Sequence, residues 1–588
     1  EKDSPDHVSL ARNLVSSLQK KSFPSRRHFA YLMHMLSPRE LLVVRSLALV
    51  MLTSLVVLNV YLYQTSTHMV PSQGGTLREG MVGNAHSFNP ILATEKVDLE
   101  ISSLIFSSLF KYDPVQETFV PDLVDHMEVS SDEKTYTLTL RKNITWHDAE
   151  PFDADDVLFT LEIAMDPAYK SPLGASLKGM KVKKQDQYTI ILTLETPYAF
   201  LPSVLTFGII PAHVFQQINP AAFPLSEANL NPVGTGPFAF ERIRKDTQGA
   251  IRSIELKGNT RFLLTAPVYI ENLIIKLFPT RAELVAALQE KSIDAAGMLP
   301  DADEPLPLAL REHFHAFSLA FPQYTGLFLN EQKNQWLRYK EVRQALLLAL
   351  PKQSMAQELY GSDVEIIDTP LLPFVKTLQG LPNGNILEAK KILQAWQEGM
   401  KPKPTKTKAK KSTPPPLAPS PSLTLTASSN PGQIAIAEKI AASWTALGIP
   451  TTVKTVESSK IKREIVRTRD YEVLLFSLKT DGTQDPYIFW HSSQREWPGL
   501  NLGLFSDTEA DTLMTQARAT YNETAQKEKY QALATIINKQ IPAIMLWRSH
   551  YLYLIAPSFS GVTLKGLSAT QDRFAHIAEW YTKEKRSW

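Results

Sequence analysis

The sequence predicts an α/β protein of more than one domain, carried on an N-terminal membrane-spanning helix. Three observations lead there. At 588 residues the chain exceeds what a single hydrophobic core serves. The run "SLALVMLTSLVVLNVYLY", Ser46 to Tyr63, holds 18 residues without a charge, about the minimum for a helix crossing hydrocarbon. Between residues 423 and 478, strand and helix patterns alternate, as in a parallel sheet with helices on its faces. Composition is that of a globular protein, 44% hydrophobic and 21% charged. A formal net charge of +2 supplies no basic excess for nucleic acid as a main partner. Cysteine is absent, which excludes disulfides, thiolate metal sites, thiol catalysis and lipid attachment through cysteine.

Residues 1–40 read as a cytoplasmic segment, 41–64 as the anchor and 65–74 as a short polar stalk. "SPRE" starts the helix: Ser37 as N-cap, Pro38 at the first helical position, Glu40 closing a capping box. A cleaved signal peptide needs a short apolar core near the N-terminus and a small-residue cleavage site. Here about 45 residues precede the run and it ends in Tyr61, Tyr63 and Gln64, which suit an interface, so an uncleaved anchor is expected. Eight basic residues lie in 1–45, whereas only Arg78 falls in the thirty after the span. Positive charge stays inside, so everything from about residue 65 is expected outside. Leu10, Leu14 and Leu18 are spaced for an amphipathic helix on the membrane or a partner; a loosely ordered basic tail is the alternative.

From Gly75 the chain is dense in element signals. "TYTLTL" alternates with Tyr136, Leu138 and Leu140 on one face, a half-buried strand, and "YTIILTL" (188–194) is a second. In "DADDVLFTLEIAM", Asp153 reads as an N-cap and Asp156 as a first-turn acid. Capping explains these aspartates better than catalysis. The segment 401–422, "KPKPTKTKAKKSTPPPLAPSPS", has six lysines, seven prolines and no acid, and is expected to be extended and disordered. A strand at 423–427, a helix at 432–447, a strand at 451–456, a helix near 458–468 and a strand at 471–478 follow it. The helical "NILEAKKILQAWQEG" before it adjoins the same unit, so the segment reads as a surface insertion rather than a domain boundary. Its lysines serve as a solvated spacer or touch anionic lipid or cell-wall polymer.

Ligands of open α/β sheets sit beyond the carboxyl ends of the strands. The loop "DGTQDPYIFWHSSQ", Asp481 to Gln494, lies at the carboxyl end of strand 471–478. Its position makes it a candidate ligand loop.

Several segments, in order, match a known family: "HSFNPIL" (86–92), "ITWHDAEPFDADDVLFTLEIAMDP" (144–167), "IIPAHVF" (209–215), "NPVGTGPFAFER" (231–242) and "KEVRQALLLAL" (340–350). "SSNPGQIAIAEKIAASWTALGI" (428–449), "RDYEVLLFS" (469–477), "DPYIFWHSSQ" (485–494) and "NLGLFSDTEADTLMTQAR" (501–518) continue it. Over about residues 75–580 the chain resembles the extracytoplasmic solute-binding proteins of peptide ABC transporters, the oligopeptide- and dipeptide-binding family 5. The resemblance implies a two-lobe periplasmic-binding-protein-like fold of type II, the large peptide-binding class, closing like a trap. Lobe I would hold 75–320, lobe II 321–545 with the insertion on its surface, and 546–588 would return to lobe I.

The family binds a short peptide as an extended strand between the lobes, main-chain hydrogen bonds giving affinity irrespective of sequence. The ligand's cationic α-amino group must be paired once closure removes water. In the family an aspartate of the loop corresponding to 481–486 does this. Asp481 is the preferred partner here with Asp485 shaping the turn, and the reverse stays open. Tyr487 and Trp490 would wall the pocket, or pack beneath the loop. Phe88 and Asn89 lie where the family's first strand meets the cleft and are further ligand candidates. Gly234 and Gly236 in "VGTGPF" suit a turn with close backbone approach and a structural duty. The family usually has glycine near Ala149–Glu150 and an acid near Pro351; these departures bear on ligand choice only.

The implied partners are a short peptide, the ABC permease and the membrane, with no cofactor. An enzyme reading finds little support. "SDEK" (131–134) precedes a strand instead of opening a helix, and "LKTDG" (478–482) lacks the glycine after threonine of the motif it imitates. Neither HExxH nor GxxxxGK[ST] occurs. Two alternatives remain within the fold. One is another solute such as a metal chelate, haem or sugar, with His86, His147 and His491 as conceivable ligands; the other is a tethered sensor or scaffold.

Overall fold

In the computed structural model of the chain, the described residues are 35–587 apart from 263, 265–266, 301–305, 362, 372–373, 376–383, 401–420 and 481–484. Leu10, Leu14, Leu18, the bulk of the Lys/Pro insertion and Asp481 therefore lie outside them. The chain divides into two compact units, Glu1–Ser72 with Glu584–Trp588, and Gln73–Lys583.

The first unit is built on the helix Pro38–Ser66. Ser37 and Glu40 form the reciprocal cap read from "SPRE", with the Ser37 N–H donating to Glu40 Oε2 at 2.8 Å. None of its described side chains is buried, and its mean hydropathy reaches 2.5 over an 18-residue window. By length and composition it can cross a bilayer. Residues of the polar stalk do not stay single-stranded: His68–Ser72 is a strand paired with Lys583–Ser587.

The second unit is organised by one eleven-stranded mixed sheet. Leu423–Ser428 pairs in parallel with Thr451–Val456 on one side and Val473–Lys479 on the other, the strands of the β-α-β-α-β series expected from the alternation; its first helix is Pro431–Leu447, and in place of a second full helix near 458–468 there is the short π-helix Lys462–Val466. Val473–Lys479 then runs antiparallel to His315–Leu329, which pairs antiparallel with Ala543–Ile555. Beyond these come Ala295–Met298, Thr76–Val82, Asn272–Phe278, Ile251–Gly258 and Phe238–Lys245. A separate four-stranded sheet holds Thr135–Leu140 and Thr189–Thr193, with Tyr136, Leu138 and Leu140 buried on one face as the alternation requires. Asp153 and Asp156 form a capping box on the helix Ala154–Met165.

The two longest strands link two bodies of core. Leu319, Phe321, Tyr551 and Tyr553 belong to a first core that runs back to Leu77, whereas Leu327, Leu546 and Trp547 pack in a cluster around Trp444 and Phe328 in one around Tyr530, which together make the second core. The crossing is marked by a bulge: Ala320 faces His550 but Tyr324 already faces Arg548, so Phe321, Pro322 and Gln323 stand opposite one residue. Pro322 has no N–H to give the ladder, which fits it to such an irregularity. The result is a two-lobe α/β body whose halves share two continuous strands.

A buried ionic cluster ties the chain end into the first core. Arg573 donates to Glu79 Oε1 at 3.0 Å and to Glu100 Oε2 at 2.9 Å, and Tyr553 donates to Glu79 Oε2 at 3.0 Å. Every side chain of this trio of ions is buried; the guanidinium is shared by the two carboxylates, and Lys96 Nζ lies 3.7 Å from Glu100 Oε1 as a second cation.

Candidate functional site

The candidate loop leaves the carboxyl end of Val473–Lys479, and the Thr480 N–H donates to Pro322 O at 2.9 Å. The loop is thus fastened to the bulge where the long strands pass between cores. Asp481 and the three residues after it lie outside the described residues. Asp485 resumes the chain with its carboxylate buried. Its Oδ1 accepts from Tyr487 N at 3.1 Å, which closes the turn into the short helix Tyr487–Trp490. Its Oδ2 lies 2.9 Å from Arg518 Nε and 3.5 Å from the Tyr198 hydroxyl.

Arg518 is the last residue of the helix Thr508–Arg518. Its guanidinium carbon is 4.1 Å from the Tyr487 ring centroid and 5.2 Å from that of Tyr198, so two aromatic faces and one carboxylate surround the cation. Tyr487 stacks on His491 with centroids 4.1 Å apart. Burial pushes the Asp485 carboxyl upward, against the pull of the Arg518 charge, and burial likewise pushes the Tyr198 hydroxyl up.

Tyr198, Ala199 and Phe200 reach this cluster from the first half of the chain. The Ala199 N–H donates to Arg518 O at 2.7 Å, and the Tyr521 hydroxyl donates to Tyr198 O at 2.9 Å while also meeting the Tyr136 hydroxyl. Phe200 enters the second core, 6.1 Å from Phe374, which stacks on Tyr530 at 4.2 Å. The segment 198–200 therefore clasps the second half beside the candidate loop.

The structure brings together Asp485 and Tyr487 of the expected ligand residues. Trp490 is fully buried, its ring 6.5 Å from Phe505, so it packs beneath the loop instead of facing an open pocket. Phe88 and Asn89 are corrected from cleft to core. Phe88 is fully buried with its ring 6.4 Å from Phe240. Asn89 donates to Asn229 Oδ1 at 2.9 Å and accepts from Ile91 N at 3.0 Å, closing a buried turn. Arg518 and Tyr198 were not singled out from sequence: Tyr198 meets Asp485 across 287 residues, and Arg518 closes the matching segment 501–518 with nothing local to show that it faces the loop.

Gly234 and Gly236 do structural work. A Cβ at Gly234 would fall 1.9 Å from Ile105 O, and the Gly236 N–H donates to that same oxygen at 2.8 Å. His147 locks this turn, accepting from Gly234 N at 3.2 Å while its Nε2 lies 3.1 Å from Gly236 O; burial pulls its pKa down to about 4. His86 sits 3.9 Å from Asp98, and His491 stacks as described. Among the described residues no group of three or more His, Asp or Glu side chains could hold a metal ion.

A cavity of about 290 Å³ lies elsewhere, lined by Ser102, Ser107, Asp122, Ser203, Phe207 and Asp572 among others, all outside residues 321–545. Asp572 caps a helical turn by accepting from Ser568 N at 2.8 Å, and burial raises its pKa to about 7. The cavity is separate from the candidate loop.

A two-lobe α/β body with the candidate loop tied to its crossing strands is the architecture of a solute-binding protein. Comparison with known proteins agrees. The model of "Bacterial extracellular solute-binding proteins, family 5 Middle" matches residues 118–498. The chain belongs to this family, whose members bind solutes and are not enzymes. It is 25% identical over 523 residues to the oligopeptide-binding protein AppA of Bacillus subtilis, covering 86% of this chain and 93% of that protein. Among solved structures, AppA of Bacillus subtilis in complex with a nonapeptide superposes with a TM-score of 0.64 at 22% identity, covering 87% of this chain and 99% of AppA. NikZ of Campylobacter jejuni in complex with Ni(L-His) gives 0.65 at 23% identity, covering 86% and 99%. These likenesses share the fold.

Proposed function

We propose that this chain is a membrane-held extracytoplasmic receptor that closes two lobes on a short peptide and hands it to an ABC import permease. The observation that carries this is the candidate loop, fastened at Pro322 to the strands shared by both cores. Lobe motion about those strands would open and close the site beside it. The names of the oligopeptide-binding relatives support a peptide as solute. Lobe I comprises 75–320 and the return from 546, and lobe II comprises 321–545. The anchor is 41–64 with a cytoplasmic N-terminus, supported by the apolar helix and its basic inner flank.

We assign the ligand's α-amino group to Asp481. Asp485 already faces an internal guanidinium, so a ligand amine there would have to displace Arg518 from between two tyrosine rings. Tyr487 is half-buried, its ring between Arg518 and His491. A second reading, a small metal chelate, is favoured by the equally close fold match to the Ni(L-His) complex.

Native mass spectrometry of the full chain, purified in mild detergent without denaturation, tests this. A heterogeneous set of short-peptide masses, lost in Asp481→Ala and retained in Phe88→Leu, is expected. A single non-peptide mass moves the assignment to the chelate. A chain that carries nothing and ignores a peptide library refutes receptor function and leaves a sensor or scaffold.

A further inference from the structure

The sequence shows almost no positive charge just outside the apolar helix, yet the fold returns some from the far end of the chain. The strand Lys583–Ser587 carries Lys583, Lys585 and Arg586 against the single carboxylate of Glu584, and those four side chains are exposed. It pairs with His68–Ser72, which begins one residue past the helix cap at Thr67. Arg586 Nη1 donates to Thr67 Oγ1 at 3.2 Å, and its guanidinium carbon lies 5.7 Å from the Tyr63 ring centroid.

Depth follows from helix geometry. The 18 uncharged residues Ser46–Tyr63 span about 27 Å at 1.5 Å per residue, close to the thickness of the hydrocarbon core. Tyr61 and Tyr63, both exposed, then mark the outer boundary, where tyrosine is at home. A guanidinium level with Tyr63 and bonded to Thr67 lies in the headgroup layer. Lysine on an edge strand often serves only to discourage aggregation. Arg586 departs from that pattern because it turns toward the helix end instead of toward open water. The inward bias of positive charge concerns segments near the span, and a strand more than 500 residues later is outside its scope.

We infer that the strand Lys583–Ser587 is a second membrane contact, binding anionic phospholipid headgroups at the outer end of the helix. The inference rests on the reading that the helix spans the membrane. The phosphodiester accepts from the guanidinium and the ammonium groups, and each cation near a charged surface contributes roughly fivefold in lipid association. Exposed charges in this layer are screened by salt.

The cysteine-free sequence allows a single reporter. The full chain bearing Ser587→Cys, labelled with an environment-sensitive fluorophore, is placed in nanodiscs of phosphatidylcholine with increasing phosphatidylglycerol. Emission should shift to the blue with a midpoint at a low anionic fraction. The triple variant K583Q/K585Q/R586Q should raise that midpoint on the order of tenfold or more, and about 0.5 M salt should do the same. Arg586→Lys should stay within about twofold of the parent. Glu584→Gln should lower the midpoint, a gain that damaged folding cannot mimic. An equal shift in pure phosphatidylcholine, or a midpoint indifferent to the triple variant and to Glu584→Gln, overturns the inference. A chain that fails to enter the discs at all refutes the anchor itself, and this contact with it.

Discussion

Replacing Arg518 by Met isolates the energetics of the clasp beside the candidate loop. The substitution roughly keeps the length of the side chain but removes the one cation that, among the described residues, is paired with the buried Asp485 carboxylate. What remains for that carboxylate is the Tyr487 N–H at 3.1 Å and the Tyr198 hydroxyl at 3.5 Å. Breaking one side of a buried ion pair costs about 3–5 kcal/mol. The Arg518 side chain retains 31% exposure, so the low end, about 3 kcal/mol, is expected at pH 7.5. The pH dependence identifies the cause. Burial already raises the Asp485 carboxyl, so the folded state holds a proton that the unfolded chain has released. Stability from this group therefore falls as pH rises above about 4, and removing the guanidinium extends that fall to higher pH. The R518M penalty should be large at pH 7.5 and nearly gone at pH 4.5, and adding Asp485→Asn should recover most of it. Urea midpoints at 25 °C across that range measure this. A penalty under about 0.5 kcal/mol at pH 7.5, or one that does not shrink on acidification, would refute the desolvated pairing.

Two further perturbations address the glycine turn under the first core. His147 has a folded pKa of about 4, below its ordinary value, so acidification protonates the unfolded chain first. Stability should be lost from about pH 6.5 down to 4, by about 3 kcal/mol in total, and His147→Gln should abolish that component of the pH profile; an unchanged profile would show that His147 is not the titrating group. Gly234→Ala places a methyl 1.9 Å from Ile105 O, and because that oxygen is backbone at the end of the helix Lys96–Ile105, the helix end must move. A loss of about 3 kcal/mol or more is expected in thermal unfolding, and a parental Tm would contradict the close approach.

The elements visible in the sequence were those whose causes are local. The Leu423–Lys479 unit announced itself because apolar runs and helix caps alternate at short range, and Ser37/Glu40 and Asp153/Asp156 because a capping box spans three residues. His68–Ser72 was not legible as a strand: its partner lies more than 500 residues away, and the adjacent Met69 and Val70 followed by Pro71 show no alternation. The same holds for the clasp, since Tyr198 and Arg518 meet through tertiary contact only. Phe88 and Asn89 were misplaced because a turn-closing asparagine beside an aromatic has the same local pattern whether it meets a ligand or Asn229. The position of the candidate loop was legible from topology, whereas the occupant of the Asp485 carboxylate was not.

The Arg573 cluster sets an order of events for a chain that emerges from the N-terminus onward. Glu79 and Glu100 occupy the first core, and the guanidinium they share arrives 494 and 473 residues later. Until then Glu100 has Lys96 at 3.7 Å, whereas burying Glu79 ionised would leave a carboxylate without its cation, a cost of several kcal/mol. The first core therefore reaches its full charge balance only when the segment around Arg573 is in place.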